Sequence, residues 1–156
     1  MGSQDVRQEC LELMKTTPVA IVTTIDPEGF PQTRAMFNLH NRVQFPSLEN
    51  FFNAVDDFSV YLTTNTSSAK VAHIRTNPKT SIYFCNPSEF QGLMLSGEMS
   101  VETDKAIKEA LWQEGWTMYY PGGVHDPDHT VLCLRPAIVR YYRRLSTFTF
   151  QPGKKQ

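Results

Sequence analysis

The chain has 156 residues, of which 40% are hydrophobic and 20% are charged, and its formal net charge is −1. This is the composition of one globular domain, and the charge disfavours a nucleic-acid surface or a polybasic membrane patch. No apolar run is long enough to cross a membrane, and the opening residues, MGSQDV, lack the apolar segment of a signal peptide. We therefore expect a cytoplasmic protein with no nucleic-acid or membrane partner. We expect a single domain over 1–156, with a disordered tail at 151–156.

The first half of the chain alternates between helical and extended patterns. The predicted elements are a helix over 4–16, strands over 19–25 and 32–39, a short helix around 48–55, a strand over 58–64 and a helix over 68–76. In the first helix, Val6, Cys10, Leu13 and Met14 form one apolar stripe. The first two strands are joined by the Asp-Pro-Glu-Gly sequence of a type I turn, which predicts a hairpin.

The strand over 32–39 has side chains of two kinds in alternation. One side carries Ala35, Phe37 and Leu39, and the other carries Arg34, Met36 and Asn38. Because successive side chains of a strand point to opposite faces, we expect one dry face, with Ala35, Phe37 and Leu39, and a second face that carries Arg34.

The second half of the chain continues with strands. The predicted elements are strands over 81–85 and 93–101, a helix begun by Thr103 and ended by Gly115 with Ile107, Ala110 and Leu111 inward, and strands over 131–134 and 138–142. Gly97 interrupts its strand and predicts a bulge. Together these elements predict an α+β fold that is mainly β. About six antiparallel strands form a closed or half-closed barrel with short helices around it.

The segment TTNTSSAK, residues 63–70, leaves a predicted strand and enters a predicted helix. The first N–H groups of a helix have no partner within it, and the helix dipole favours negative charge there. Hydroxyl groups and a lysine add further donors. The segment therefore predicts a phosphate site, although an ordinary capped helix with an exposed lysine fits the same residues. The candidate cofactor-binding residues of this segment are Thr63, Thr64, Ser67, Ser68 and Lys70.

Arg34 favours the phosphate interpretation over the ordinary capped helix. It lies between small and apolar neighbours on a strand, where a solitary charge needs a partner. A phosphomonoester is nearly a dianion, so that Arg34 and Lys70 together would balance its charge.

From about Pro18 to Arg143, the sequence resembles the pyridoxamine-phosphate-oxidase-like FMN-binding proteins, in particular their general stress protein branch. The segments that carry the resemblance are GFPQTRAM, TTNTSSAK, DKAIKEALW and the later YPGG, HDPD and RPAIVRYY. The resemblance implies a split β-barrel that binds FMN. It also implies a homodimer, with FMN in clefts between the subunits.

The resemblance also assigns roles to residues. It implies that Arg34 and Lys70 hold the phosphate of FMN and that Thr64 and Ser68 donate to it. It implies further that the backbone of Ala35 and Met36 runs along the isoalloxazine ring.

The sequence departs from the true oxidases near its C-terminal end. Their Arg-Leu-His-Asp-Arg stretch contacts the substrate, whereas this chain has Arg-Leu-Ser-Thr-Phe, with Ser146 and Phe148 in place of the histidine and the final arginine. We therefore expect the phosphate site to carry over and pyridoxamine phosphate to be a poor substrate.

Two further clusters have alternative interpretations. His125 and His129 are spaced like metal ligands on a helix, but Pro127 disfavours a helix there, so that we expect a turn at the rim of a cleft and no metal site. An aromatic cluster that includes Trp116 is typical of core and interface packing. Alternatively, Trp116 covers the flavin ring of a partner chain.

Three functions agree with these residues. The first is an FMN-dependent oxidoreductase with an unknown small-molecule redox partner, in which the flavin carries the chemistry. The second is a flavin-binding stress or sensor protein without catalysis. The third is a split barrel that binds haem or a deazaflavin, and the predicted phosphate cluster favours FMN over haem.

Overall fold

The computed structural model describes residues 2–153. Its α-helices are α1 (Ser3–Thr16), α2 (Glu49–Ala54), α3 (Ala69–Thr76) and α4 (Lys105–Leu111). Its strands are β1 (Val19–Ile25), β2 (Pro31–Phe37), β3 (Val60–Asn65), β4 (Lys79–Asn86), β5 (Gln91–Glu102), β6 (His129–Arg143) and β7 (Ser146–Phe150). The predicted helices and strands are confirmed in type, and β7 is an additional strand.

The strands form one antiparallel sheet in the order β2-β1-β4-β5-β6-β3, and β7 also pairs with β6. Along one edge, β6 pairs first with β3 and then with β7. Within residues 2–153, no ladder joins β2 to β3, so that the curled sheet stays open. The predicted split β-barrel is therefore confirmed.

The ladder between β5 and β6 contains a bulge. Ser96 is opposite Ile138 and Gly97 is opposite Pro136, so that Ala137 is the additional residue. A Cβ on Gly97 would lie 3.1 Å from three backbone atoms of β6, which explains why glycine is needed there. The predicted bulge is confirmed. The two strands predicted after the aromatic loop are the two halves of the single strand β6.

The main core lies between α1 and the inner face of the sheet. The predicted stripe of Val6, Cys10, Leu13 and Met14 is at most 5% exposed and packs on buried side chains of β1, β4, β5 and β6. A second, smaller core lies beneath α2 and α4 and includes Trp116 and several other aromatic residues. The second core borders the candidate site described below.

Helix α4 differs from its prediction at both ends. Asp104, not Thr103, caps it, because the Asp104 carboxylate accepts a hydrogen bond from the N–H of Ala106 at 2.9 Å. The helix ends at Leu111 instead of Gly115, since the backbone of the next residue is extended. Leu111 is buried and Ile107 is half-buried as expected, whereas Ala110 is exposed.

Strand β2 alternates as predicted, but the expected dry face is the exposed one. Ala35 and Phe37 are exposed, whereas Arg34 and Met36 are half-buried. Beyond the strand, Asn38 and Leu39 are both buried, so that of the expected dry face only Leu39 is covered. The reason is that β2 lies at the edge of the sheet, where its outer row of side chains is not covered. Arg34 therefore points to the inner side of the open barrel.

The predicted disordered tail, 151–156, lies partly outside the described residues. In the described part, the carbonyl of Pro152 accepts a hydrogen bond from Nη1 of Arg7 at 3.2 Å. Of the described helices, none has the length and apolar character needed to cross a membrane.

Candidate cofactor-binding site

A pocket of about 360 Å³ lies where β2, β3, the start of α3 and the aromatic turn after α4 meet. Its volume falls within the range of small-molecule sites. Its polar lining residues are Arg34, Thr63, Thr64, Asn65 and Lys70, and its other lining residues are Val19, Ala35, Met36, Phe37, Trp116, Tyr119 and Tyr120. The structure thus brings together all the predicted site residues except Ser67 and Ser68.

Arg34 is held on the inner side of β2 by β1. Its Nη1 donates to Oγ1 of Thr24 at 2.8 Å and to the carbonyl of Val22 at 3.3 Å. Thr24 is fully buried, and its Oγ1 also lies 3.0 Å from Nδ1 of His73. Burial lowers the pKa of Arg34. These contacts fix one end of a guanidinium group that carries further N–H donors.

Lys70 lies in the first turn of α3 and reaches back to the end of β3. Its Nζ donates to Oγ1 of Thr64 at 2.8 Å. Burial lowers the pKa of Lys70, and the positive charge of Arg34 lowers it further. Among residues 2–153, no carboxylate forms a salt bridge with Arg34 or Lys70. Two half-buried like charges without a counter-charge are an arrangement that an anion would stabilise.

Ser68 occupies the N-cap position of α3, but its hydroxyl does not cap the helix. Its Oγ instead lies 3.5 Å from Oγ1 of Thr64. Thr64 is 5% exposed and lines the pocket, whereas Ser68 is not among the lining residues.

Ser67 is exposed and does not line the pocket. Its N–H donates to Oδ1 of Asp128 at 2.9 Å. The backbone N–H of Ser67 is therefore bound to a carboxylate of this chain, and the side chain whose hydroxyl we expected to donate to phosphate lies outside the pocket lining.

The predicted rim turn is present between the aromatic residues and β6. Asp126 accepts hydrogen bonds from the N–H of Gly122 at 2.8 Å and from the N–H of Asp128 at 2.9 Å. The two histidines of this segment have different environments. His125 is exposed and contacts Glu109, whereas His129 is buried, with Nδ1 2.9 Å from the carbonyl of Val124.

Trp116 belongs both to the second core and to the pocket. It is 6% exposed and packs edge-on against Trp112 at 5.8 Å and Phe45 at 6.2 Å between ring centroids. Tyr119 and Phe37, in contrast, are about half exposed and lie 6.5 Å apart. The packing role expected of Trp116 is present, and the ring also lines the pocket of its own chain.

Several residues of the site were not predicted, among them Thr24, Asn65 and Asp128. Thr24 could have been found, because the alternation of β1 puts its hydroxyl on the same buried face as Ala20 and Val22. Asn65 and Asp128 have no such signal, since their contact depends on how β3 and β6 pair.

The sequence matches the family model of pyridoxamine 5'-phosphate oxidase over residues 6–143. It is similar to a crystal structure from Clostridium acetobutylicum that is related to general stress protein 26 of B. subtilis. The two are 32% identical, with a TM-score of 0.76 and 96% of each chain covered. No curated protein matches the sequence.

Two more distant structures share the fold. One is a pyridoxamine 5'-phosphate oxidase-related, FMN binding protein from Nostoc punctiforme, at 13% identity and a TM-score of 0.61, with 97% of this chain and 92% of that chain covered. The other is a heme binding protein from Mycobacterium smegmatis, at 15% identity and a TM-score of 0.68, with 94% of this chain and 57% of that chain covered.

Proposed function

Because the chain belongs to the pyridoxamine 5'-phosphate oxidase family, we propose that its pocket binds FMN and that it is an FMN-dependent oxidoreductase. The observation that carries the proposal is that Arg34 and Lys70 line the same pocket, with no carboxylate in a salt bridge to either of them among residues 2–153. A phosphate dianion would balance both charges.

The polar residues of the pocket fit a phosphate in donor count as well as in charge. Arg34 and Lys70 offer charged N–H donors, and Thr64 accepts from Lys70, which leaves its own hydroxyl hydrogen to donate. Each charge-assisted hydrogen bond to the phosphate should contribute about 1.5–3 kcal/mol. The site should therefore prefer FMN to riboflavin by at least about tenfold.

The apolar residues of the pocket fit the ring of a flavin. Met36, Phe37, Trp116 and Tyr119 supply apolar and aromatic surface beside the anion site. Burial raises the pKa of the Tyr120 phenol above its ordinary value. Bound FMN would supply the redox chemistry, and the chain would hold and orient it and shield one side from water.

Titration of the purified protein with FMN and with riboflavin tests the proposal. Tighter binding of FMN supports it, and equal affinities would remove the phosphate assignment. The absorption spectrum of the protein as purified distinguishes flavin from haem or a deazaflavin. Oxidation of a reduced nicotinamide by the FMN-loaded protein distinguishes an oxidoreductase from a protein that only stores or senses flavin.

We also propose that the protein is a homodimer that works in the cytoplasm. The outer face of β1, β2 and β4 carries a row of exposed apolar side chains, namely Val19, Ala35, Phe37 and Tyr83. Three of them, Val19, Ala35 and Phe37, also line the pocket. A second copy on this face would cover apolar surface and close the pocket at the same time. Free thiols at Cys10 and Cys133 are ordinary in a reducing compartment.

Sedimentation at micromolar concentration tests the dimer. The variant Tyr83→Glu puts a charge on the proposed interface at a site outside the pocket lining, and we expect it to sediment as a monomer. The control is Leu145→Glu, which adds the same charge at a 91% exposed residue in the turn between β6 and β7. A monomeric unsubstituted protein, or two variants that behave alike, would count against this interface.

The departures from the true oxidases occur in β7. Phe148 stacks on Tyr141, with ring centroids 6.2 Å apart, and packs under the guanidinium of Arg143 at 5.7 Å. Ser146 is exposed at the start of the strand. Neither residue lines the pocket, so that we expect little or no pyridoxal phosphate and peroxide from pyridoxamine phosphate. Efficient turnover would contradict this.

A further inference from the structure

The turn at 65–67, which begins with the last residue of β3 and leads to α3, is held by one carboxylate on the rim of the pocket. Oδ2 of Asp128 accepts a hydrogen bond from Nδ2 of Asn65 at 2.7 Å, and Oδ1 accepts one from the N–H of Ser67 at 2.9 Å. The bond from Asn65, followed by that from Ser67, lowers the pKa of Asp128. The carboxylate thus stays charged at neutral pH.

The backbone around Asp128 holds the same turn. The N–H of Thr66 donates to the carbonyl of Asp128 at 2.7 Å, and the hydroxyl of Thr66 donates to the carbonyl of Pro127 at 2.8 Å. Each residue of the turn is therefore bound to the segment that precedes β6.

This turn determines where the groups of the candidate anion site lie. Thr64 comes directly before it, Asn65 is both in the turn and in the pocket lining, and Lys70 follows in the first turn of α3. A shift of the turn would change the distance between β3 and α3. The hydrogen bond from Lys70 to Thr64, at 2.8 Å, would then be lost or lengthened.

We propose that Asp128 is a positioning residue, which holds the 65–67 turn so that Thr64 and Lys70 face one anion. The inference rests on the proposed function, because the anion is the phosphate of FMN. This inference and simple electrostatics predict opposite changes in FMN affinity when the carboxylate of Asp128 is removed. A carboxylate close to an anion site repels the anion, so that its removal alone should strengthen FMN binding. If Asp128 positions the turn, its removal should weaken FMN binding.

The experiment compares Asp128→Ala with Asp57→Ala, which removes the same charge from a partly exposed carboxylate paired with Arg7. Hydrogen exchange of the full chain without flavin reports on the turn. We expect the Ser67 and Thr66 amides to exchange at least about tenfold faster in Asp128→Ala only. The ratio of FMN to riboflavin affinity reports on the anion site. We expect it to fall by about tenfold in Asp128→Ala, since small displacements of binding groups have effects of this size.

A reciprocal variant separates the hydrogen bonds from the charge. In Asn65→Asp with Asp128→Asn, the amide of residue 128 donates to the carboxylate of residue 65 and its oxygen accepts from Ser67. Slow exchange at Ser67 should return in this double variant.

Two results would overturn the inference, namely unchanged exchange at Ser67 in Asp128→Ala, or an affinity ratio that stays equal or rises. If the unsubstituted protein did not prefer FMN to riboflavin, the proposed function would fail. Inorganic phosphate, followed through the amide chemical shifts of residues 64–70, would then serve as the anion for the same comparison.

Discussion

Lys70→Met is the sharpest test of the anion site, because it removes one charge and little else. Methionine keeps most of the length and the apolar stem of the half-buried lysine. The substitution removes the ammonium group and its hydrogen bond to Thr64. Any change in ligand binding then reports on the charge and its contact.

The structure predicts different effects of Lys70→Met on the stability of the protein and on its affinity for FMN. Burial and the charge of Arg34 lower the pKa of Lys70, which means that the charged form is less favourable in the folded protein than in the unfolded chain. At pH 7 the free energy of unfolding should therefore rise or change by less than about 0.5 kcal/mol. The loss of one charge-assisted hydrogen bond to phosphate, about 1.5–3 kcal/mol, should weaken FMN binding by about tenfold to a hundredfold.

Fluorescence titration with FMN and with riboflavin measures this effect, and urea unfolding of the flavin-free protein measures stability. Riboflavin affinity should not change, because the lost contact is to the phosphate alone. The control is Lys105→Met, which removes an exposed lysine at the start of α4. A folded Lys70→Met protein with unchanged FMN affinity would refute the assignment of the anion site.

Thr24→Val removes the buried hydroxyl that accepts a hydrogen bond from Arg34. Titration should show that FMN affinity falls by about threefold to tenfold while riboflavin affinity does not change. An unchanged FMN affinity would show that Arg34 needs no such support. Burial lowers the pKa of His40 from 6.5 to about 4, so that stability should be complete above pH 6.5 and fall as the pH drops towards 4. Urea unfolding should show that the free energy of unfolding falls by about 2 kcal/mol between pH 7 and pH 5 because of this residue. The His40→Gln variant should lose less stability over the same pH range than the unsubstituted protein. Glu9→Gln removes the negative charge opposite the buried guanidinium of Arg143, whose Nη1 lies 2.7 Å from Oε1 of Glu9. The substitution should lower the free energy of unfolding by about 2 kcal/mol. A change below about 0.5 kcal/mol would contradict this expectation.

Local patterns predicted most of the fold, because side-chain periodicity reports directly on helices and strands. Strand β7 was missed because its turn has no conventional signal. Arg144 and Leu145 both have positive φ, 45° and 65°, where hairpin turns usually have glycine or asparagine. The faces of β2 were reversed, because alternation in sequence says that two faces differ and does not say which one the rest of the chain will cover.

The site was predicted where its residues are close in sequence and missed where they are not. Thr64 and Lys70 are six residues apart and meet as expected. Ser67 was assigned to the ligand because a hydroxyl group near a helix start is a good phosphate donor, whereas the contact that the structure shows is made by the Ser67 N–H. Its actual partner, Asp128, is 61 residues away in the chain, and only the pairing of β3 with β6 brings the two together.

The pairing of β3 also has a consequence for the order of folding. Among residues 2–153, its only ladder is with β6, from Val60 opposite Leu134 to Asn65 opposite His129. While the chain is being synthesised, β1, β2, β4 and β5 can pair as soon as they leave the ribosome, but β3 must wait for β6. Pairings between distant segments are slow to form, and unpaired strands are prone to aggregate. Ribosome-stalled chains that end before residue 129 should therefore be cleaved by protease within β3, and the 156-residue chain, once released from the ribosome, should resist.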